Sequence, residues 1–140
     1  MKISEVMNRD IATIPADANL VEAATMMRTR NIGFLPVLEQ DKVVGVLTDR
    51  DIVIRSICEE HNALSTKVYD VMTPTPIWCY EDEVLTDAAQ VLAGHHIRRL
   101  IVFDCNKKLA GLLSLDDLAA RMSSDRLLGS VLRQVTAQAA

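Results

Sequence analysis

Aromatic side chains are nearly missing from this chain: one Trp, two Tyr and two Phe, 4% of its 140 residues. Since 49% of the residues are nonetheless hydrophobic, the interior has to be built from Leu, Ile, Val, Ala and Met. Cysteine is sparse as well. Cys58, Cys79 and Cys105 are odd in number and widely spaced, with no Cys-x-x-Cys among them. That argues against a disulfide framework and against a zinc or redox centre, and reads as reduced core thiols in a cytoplasmic protein. Positive charge is not in excess. A formal net charge of −4 argues against a general nucleic-acid or anionic-membrane binder, though a local basic pocket stays open. No apolar run approaches membrane-spanning length, and the opening Met1-Lys2-Ile3-Ser4-Glu5-Val6 lacks the apolar stretch of a signal peptide. Neither a nucleophile–base pair nor a Gly-rich Walker-type loop occurs, so the chain reads as no enzyme.

What is there is said nearly twice. Val6-Met7 recurs as Val71-Met72, Asp17 as Asp82, and Leu20-x-x-Ala23-Ala24 as Leu85-x-x-Ala88-Ala89. Ile32, Leu35, Val37 and Lys42 return as Ile97, Leu100, Val102 and Lys107. The register then slips by one, so that Gly45, Leu47, Asp51 and Arg55 meet Gly111, Leu113, Asp117 and Arg121. One extra residue in Asp104-Cys105-Asn106-Lys107-Lys108 accounts for the slip, and insertions belong in loops. Neither half alone has residues enough for a comfortable core, so the two are expected to pack together.

Within the first copy, Leu20, Ala23, Ala24 and Met27 fall at helical spacing and predict one apolar stripe. Asn19 is the expected N-cap, with Glu22 three residues on as a capping box requires. Two nearly all-apolar strands follow, Phe34-Leu35-Pro36-Val37-Leu38 and Val43-Val44-Gly45-Val46-Leu47, parted by the polar turn Glu39-Gln40-Asp41-Lys42. Their composition suggests burial on both faces. A second helix is expected from Thr48 through Ile54. In the second copy, Leu85, Ala88, Ala89 and Leu92 repeat the stripe, and Val84 stands at the Asn19 position, leaving Asp82 as the substitute cap. Leading strands are expected around Ile11–Ile14 and Ile77–Tyr80. The order is β-α-β-β-α, twice, an α+β fold with α/β-type layers. The repeats span 1–62, with a connector at His61 to Lys67, and 63–123. A tail at 124–140 is expected to be helical from Leu127, Leu128, Val131, Leu132 and Val135, closing the core or docking on another subunit.

The tandem unit, with Gly45-Val46-Leu47-Thr48-Asp49-Arg50-Asp51 answered by Gly111-Leu112-Leu113-Ser114-Leu115-Asp116-Asp117, resembles the cystathionine-β-synthase (CBS) domain family. Val6-Met7, Val71-Met72 and Leu35-Pro36-Val37 look like family features too. The resemblance runs from about Ile3 to Met122. It implies a CBS pair, or Bateman module, of the stand-alone kind, its halves packed with pseudo-two-fold symmetry and its dimer a flat disc. It also implies no required cofactor. A regulatory ligand containing adenosine would sit in clefts between the repeats, with AMP, ADP or ATP ahead of NAD and S-adenosylmethionine. The partner would be an unknown regulated protein.

The chemistry of Thr48 and Asp51, and of Ser114 and Asp117, can be read two ways. A hydroxyl and free N–H groups at a helix start suit a phosphate, and a carboxylate accepts two hydrogen bonds at once, as vicinal ribose hydroxyls offer. The same spacing makes a capping box that needs no ligand. Both roles are compatible. By the resemblance these residues are the phosphate and ribose contacts. Arg98 and Arg99, just before the Leu100 strand, are candidates for a phosphate, as is Arg50; Gly33 and Phe34 stand opposite the first two and carry no charge. An adenine slot falls by resemblance on Thr13-Ile14-Pro15 and on Trp78-Cys79-Tyr80, where an aromatic ring stacks on a base or merely fills a core or interface. Ile101 replaces the proline expected beside Leu100 and Val102. His95-His96, at a helix end, read as surface residues rather than metal ligands. The alternative function is an interaction or assembly module whose nucleotide clefts are vestigial.

Overall fold

The computed structural model describes residues 1–137, and in it the chain divides into two compact units. One is continuous, Ala12–Pro76; the other joins Met1–Ile11 to the residues from Ile77 onward.

The continuous unit holds β1 (Ile14–Pro15), α1 (Leu20–Arg30), β2 (Phe34–Glu39), β3 (Lys42–Thr48) and α2 (Asp49–Ile52). Helix α2 widens into a π-turn over Val53–Ile57, and α3 (Val68–Val71) and β4 (Thr73–Pro74) close the unit. The sheet order is β1-β2-β3-β4, parallel between β1 and β2 and antiparallel elsewhere. The capping box forms as expected: Asn19 Oδ1 accepts the Glu22 N–H at 2.9 Å, and Glu22 accepts the Asn19 N–H at 3.1 Å. Gln40 and Asp41 turn the hairpin with φ of 51° and 63°, a primed two-residue loop whose twist matches its strands. Leu20, Ala23 and Met27 then pack on Leu35, Val37 and Leu47, with Val68 and Val71 beneath.

The second unit opens with a 3₁₀ turn, Ile3–Glu5. Then come β5 (Trp78–Tyr80), α4 (Leu85–His95), β6 (Arg99–Phe103), β7 (Leu109–Ser114), α5 (Leu115–Arg121) and α6 (Asp125–Thr136). Its sheet order is β5-β6-β7. The extra residue lies in the β6–β7 turn as expected. Asp104 Oδ1 gathers the N–H groups of Asn106 and Lys108 at 2.9 and 3.0 Å, and Lys107 takes φ 61°.

Each Val-Met segment is packed on the sheet of the other repeat, and the repeated glycine is what receives it. A Cβ on Gly111 would lie 2.7 Å from Met7 Sδ and 2.9 Å from the Asn8 carbonyl. A Cβ on Gly45 would lie 2.6 Å from the Thr73 carbonyl and 2.7 Å from Met72 Sδ. Gly45 does permit a close backbone approach, and the backbone that approaches is the protein's own. The exchange extends to the helix starts. The Leu20 N–H is taken by Thr66 O at 3.1 Å, and the Leu85 N–H by Met1 O at 2.9 Å.

Several expectations change. Strand β1 is shorter than β5 and begins only at Ile14, because Pro36 has no N–H to offer it, whereas the Ile101 N–H reaches Ile77 O at 3.4 Å. Asp82 does not cap α4: Val84 is the N-cap residue, without a side-chain bond, and Met1 O serves instead. Ala24 is exposed although its twin Ala89 is fully buried, because α6 packs along α4. Val131 and Val135 of α6 enter that core, so the tail helix closes its own unit, and residues 138–140 of the expected tail lie outside the described ones. Only Cys79 is a core thiol. Cys58 leaves the π-turn toward solvent, and Cys105 sits in the inserted turn, both exposed. Burial of both faces holds for the middle of β2 and β6, while β3 and β7 alternate buried with half-buried residues. Among the described residues no helix is long and apolar enough to cross a membrane.

Candidate functional site

Each β-hairpin feeds a helix start that carries the repeated hydroxyl and carboxylate. In the continuous unit Thr48, opposite Phe34 at the end of β3, is the N-cap of α2. Its Oγ1 accepts the Asp51 N–H at 3.0 Å, and Asp51 Oδ2 accepts the Thr48 N–H at 3.0 Å. Both residues are half-buried. The surroundings are acidic as well as basic. Asp49 N–H bonds Gly33 O at 3.1 Å, and a Cβ on Gly33 would lie 2.7 Å from the Asp49 carboxylate, so a side chain there would require the exposed Asp49 side chain to move aside. Arg50 is exposed on the first turn, its N–H bonded to Asp49 Oδ1 at 2.9 Å.

In the other unit Ser114 stands opposite Arg99 and caps α5. Asp117 Oδ2 accepts both the Ser114 N–H, at 2.8 Å, and the Ser114 hydroxyl, at 2.9 Å, while Ser114 Oγ accepts the Asp117 N–H at 3.2 Å. Arg98 O receives the Leu115 N–H at 3.0 Å, which holds the Arg98–Arg99 pair beside the helix start. Both arginines are exposed. Cations thus flank this start where Asp49 and Gly33 flank the other.

The adenine candidates divide by strand face. Ile14 and Cys79 turn inward at 3% exposure each, so their side chains are spent in the cores. Cys79 donates its thiol to Ile101 O at 3.9 Å. Burial, reinforced by the Glu83 carboxylate, pushes that thiol up to about 12, so it stays protonated and is a poor nucleophile or metal ligand. Thr13 is half-buried ahead of β1 and Pro15 is exposed. Trp78 and Tyr80 share the other face of β5. Their rings meet edge to face at 4.9 Å, Phe103 lies 5.4 Å from Trp78, and the Lys107 ammonium stands 5.1 Å over the indole. That cluster already engages the indole. Trp78 as a residue is 37% exposed. His96 is the left-handed C-cap of α4, and its Nδ1 lies 2.7 Å from Gln134 O, tying α4 to α6. Among the described residues no cluster of His, Cys, Asp and Glu could hold a metal.

One residue escaped the sequence reading. Arg55, seen there only as a repeated position, points its Nη1 at Val71 O and Met72 O, 3.1 Å each, at Thr73 Oγ1, 3.2 Å, and at Asp51 Oδ1, 3.8 Å. The signal was available as an aspartate and an arginine four apart on a helix.

Comparison with known proteins bears on this geometry. The model of the CBS domain matches residues 3–57 and again 68–124. The CBS domain-containing protein YhcV of Bacillus subtilis is 35% identical over 136 residues, covering 97% of this chain and 96% of that protein. The structure of the CBS domain protein PAE2072 from Pyrobaculum aerophilum, complexed with AMP, superposes with a TM-score of 0.75 at 24% identity, over 94% of this chain and 98% of that one. The CBS domain pair of protein MJ0100, in complex with 5′-methylthioadenosine and S-adenosyl-L-methionine, also gives 0.75, at 21% identity over 86% and 94% of the two chains.

Proposed function

This chain belongs to the CBS domain family, and from that membership we propose that it is a non-catalytic regulatory module whose ligand contains adenosine, AMP, ADP or ATP foremost. One observation carries the reading: two helix starts, Thr48–Asp51 and Ser114–Asp117, each present a hydroxyl, a carboxylate and first-turn N–H groups together. The N–H groups and hydroxyl suit a phosphate, and the carboxylate suits a ribose diol. Arg98 and Arg99 add charge at the second start, with Arg50 the lesser candidate at the first. Thr13 and Pro15, and Trp78 and Tyr80, flank the base, where Ile14 and Cys79 can contribute backbone only. AMP in one fold relative, and 5′-methylthioadenosine with S-adenosyl-L-methionine in another, support the ligand class. Occupancy alters what the protein offers a regulated partner in the cytoplasm, by no more than the ligand's differential affinity for the two states. Thermal melting with millimolar AMP, ADP and ATP tests this. A raised midpoint, reduced in Asp51→Ala or Asp117→Ala, is expected. No shift with any nucleotide would defeat the reading.

A second reading, assembly with a second copy of this chain, has its own observation. Val53, Ile54 and Ile57 are 48%, 49% and 63% exposed, where the other repeat carries Ala119, Ala120 and Ser123. Such an apolar stripe can meet its own copy across a two-fold axis. Ile54→Lys with Ile57→Lys should shift sedimentation from dimer to monomer while leaving nucleotide binding in place.

A further inference from the structure

Arg55 and Arg121 occupy the same repeat position and behave differently. The Arg55 Nη1 faces four oxygens: the carbonyls of Val71 and Met72, the Thr73 hydroxyl, and Asp51 Oδ1. An Nη group carries two hydrogens. Three oxygens within 3.2 Å therefore contest two hydrogens, while Asp51 Oδ1, at 3.8 Å, draws the guanidinium by charge alone. Among the described residues the Arg121 guanidinium makes no hydrogen bond or ion pair.

The backbone explains the difference. At Arg55 the helix is a π-turn, with the Cys58 N–H bonded to Val53 O five residues back at 3.0 Å. At Arg121 it stays α-helical, and the Met122 N–H reaches Leu118 O at 2.8 Å. The wider turn re-aims the side chain, and such turns recur at functional sites. The two carboxylates differ to match. Asp117 is held by its own Ser114 hydroxyl, whereas Asp51 takes only N–H from Thr48 and has the guanidinium on its other oxygen.

We propose that Arg55 is a positioning residue that couples Asp51 to Val71–Thr73, the segment through which the chain leaves this unit for Ile77. Asp51 Oδ2 is already bonded to Thr48, so an incoming hydroxyl group has Oδ1 left to take, the oxygen beside Arg55. A carboxylate so engaged draws less on the guanidinium across the 3.8 Å ion pair. Nη1 then settles more closely on the Val71 and Met72 carbonyls, and the segment tightens. That the engaging group is a ribose rests on the nucleotide reading; the linkage itself does not.

Amide hydrogen exchange at Val71, Met72 and Thr73 tests it in the full chain. Without ligand, Asp51→Asn, which withdraws the charge from Oδ1, should slow these amides about fivefold, and should do nothing to them in an Arg55→Met background. Arg55→Lys, a point donor that cannot fork, should also lose the linkage. Equal slowing in both backgrounds, or none in either, would overturn the proposal. AMP should protect the same amides in wild type and in Arg121→Met but not in Arg55→Met; protection that persists without Arg55 also overturns it. Failure of AMP to bind wild type, with the ligand-free linkage present, would remove the nucleotide reading and leave the linkage standing.

Discussion

The helix starts at Thr48 and at Ser114 are the same capping box with opposite neighbours. The first has the Asp49 carboxylate lying against Gly33, and an arginine within ion-pair distance of Asp51 from one turn on. The second has two arginines at the strand before it and an aspartate held only by its own serine. Duplication supplied one device. Divergence placed positive charge before the helix in one copy and within it in the other. Under the proposed nucleotide reading, a phosphate would go to Ser114, where Arg98 and Arg99 stand, and a diol to Asp51.

The sharpest way to break the comparison is through the feature the copies share most closely. Gly45→Ala and Gly111→Ala should each destabilise by about 2 kcal/mol, since the new Cβ meets backbone and a packed sulfur. Equal losses in denaturant melts would show that both Val-Met contacts carry similar weight, and a loss at only one would break the equivalence. Next come the caps. Thr48→Ala and Ser114→Ala each remove a side-chain cap at a cost of about 1 kcal/mol. Ser114→Ala should be the more damaging, because it also strips the hydroxyl from Asp117. Arg98→Ala with Arg99→Ala should weaken ATP more than adenosine, by roughly tenfold if one charge-assisted contact of about 1.4 kcal/mol is lost. Arg50→Ala should cost less, and calorimetry at two salt concentrations separates the two. Smallest is the thiol contrast. Cys58 and Cys105 should react with a thiol reagent at pH 8 while Cys79 stays silent. The fold favours the neutral Cys79 thiol, whose value is raised from 9.0 to about 12. Its contribution to stability is therefore complete below pH 9 and declines as pH climbs toward 12. Cys79→Ala should flatten that alkaline decline.

Local order was legible because it is written locally. The Asn19–Glu22 box, the hairpin turns and the extra residue before Lys108 depend on neighbours in sequence, and they stand as expected. Ala24 and Ala89 show the limit. Their surroundings in sequence are alike, and only the presence of α6 over one of them decides which is buried. Cys105 could not be placed without knowing that the inserted residue makes a tight turn around Asp104. Repeated letters also concealed Arg55, since a one-residue widening of a helical turn changes where a side chain points without changing its spacing from Asp51. The candidate site was visible as two tetrapeptides. Its asymmetry required coordinates.

The crossed placement of the Val-Met segments has a consequence for how the chain is made. Ala12–Pro76 is contiguous, and everything its core needs, Val68 and Val71 included, has been synthesised once Pro76 is added. Ile3 and Met7 come off the ribosome earlier than any of those residues, yet their partners Leu85, Leu113 and Leu118 are translated only after that unit is complete. The leading segment therefore waits, apolar and unpaired, beside a unit free to close without it, and the slower step of maturation is its capture by the later strands. Splitting the gene between the repeats would yield two fragments that each carry the other's missing piece.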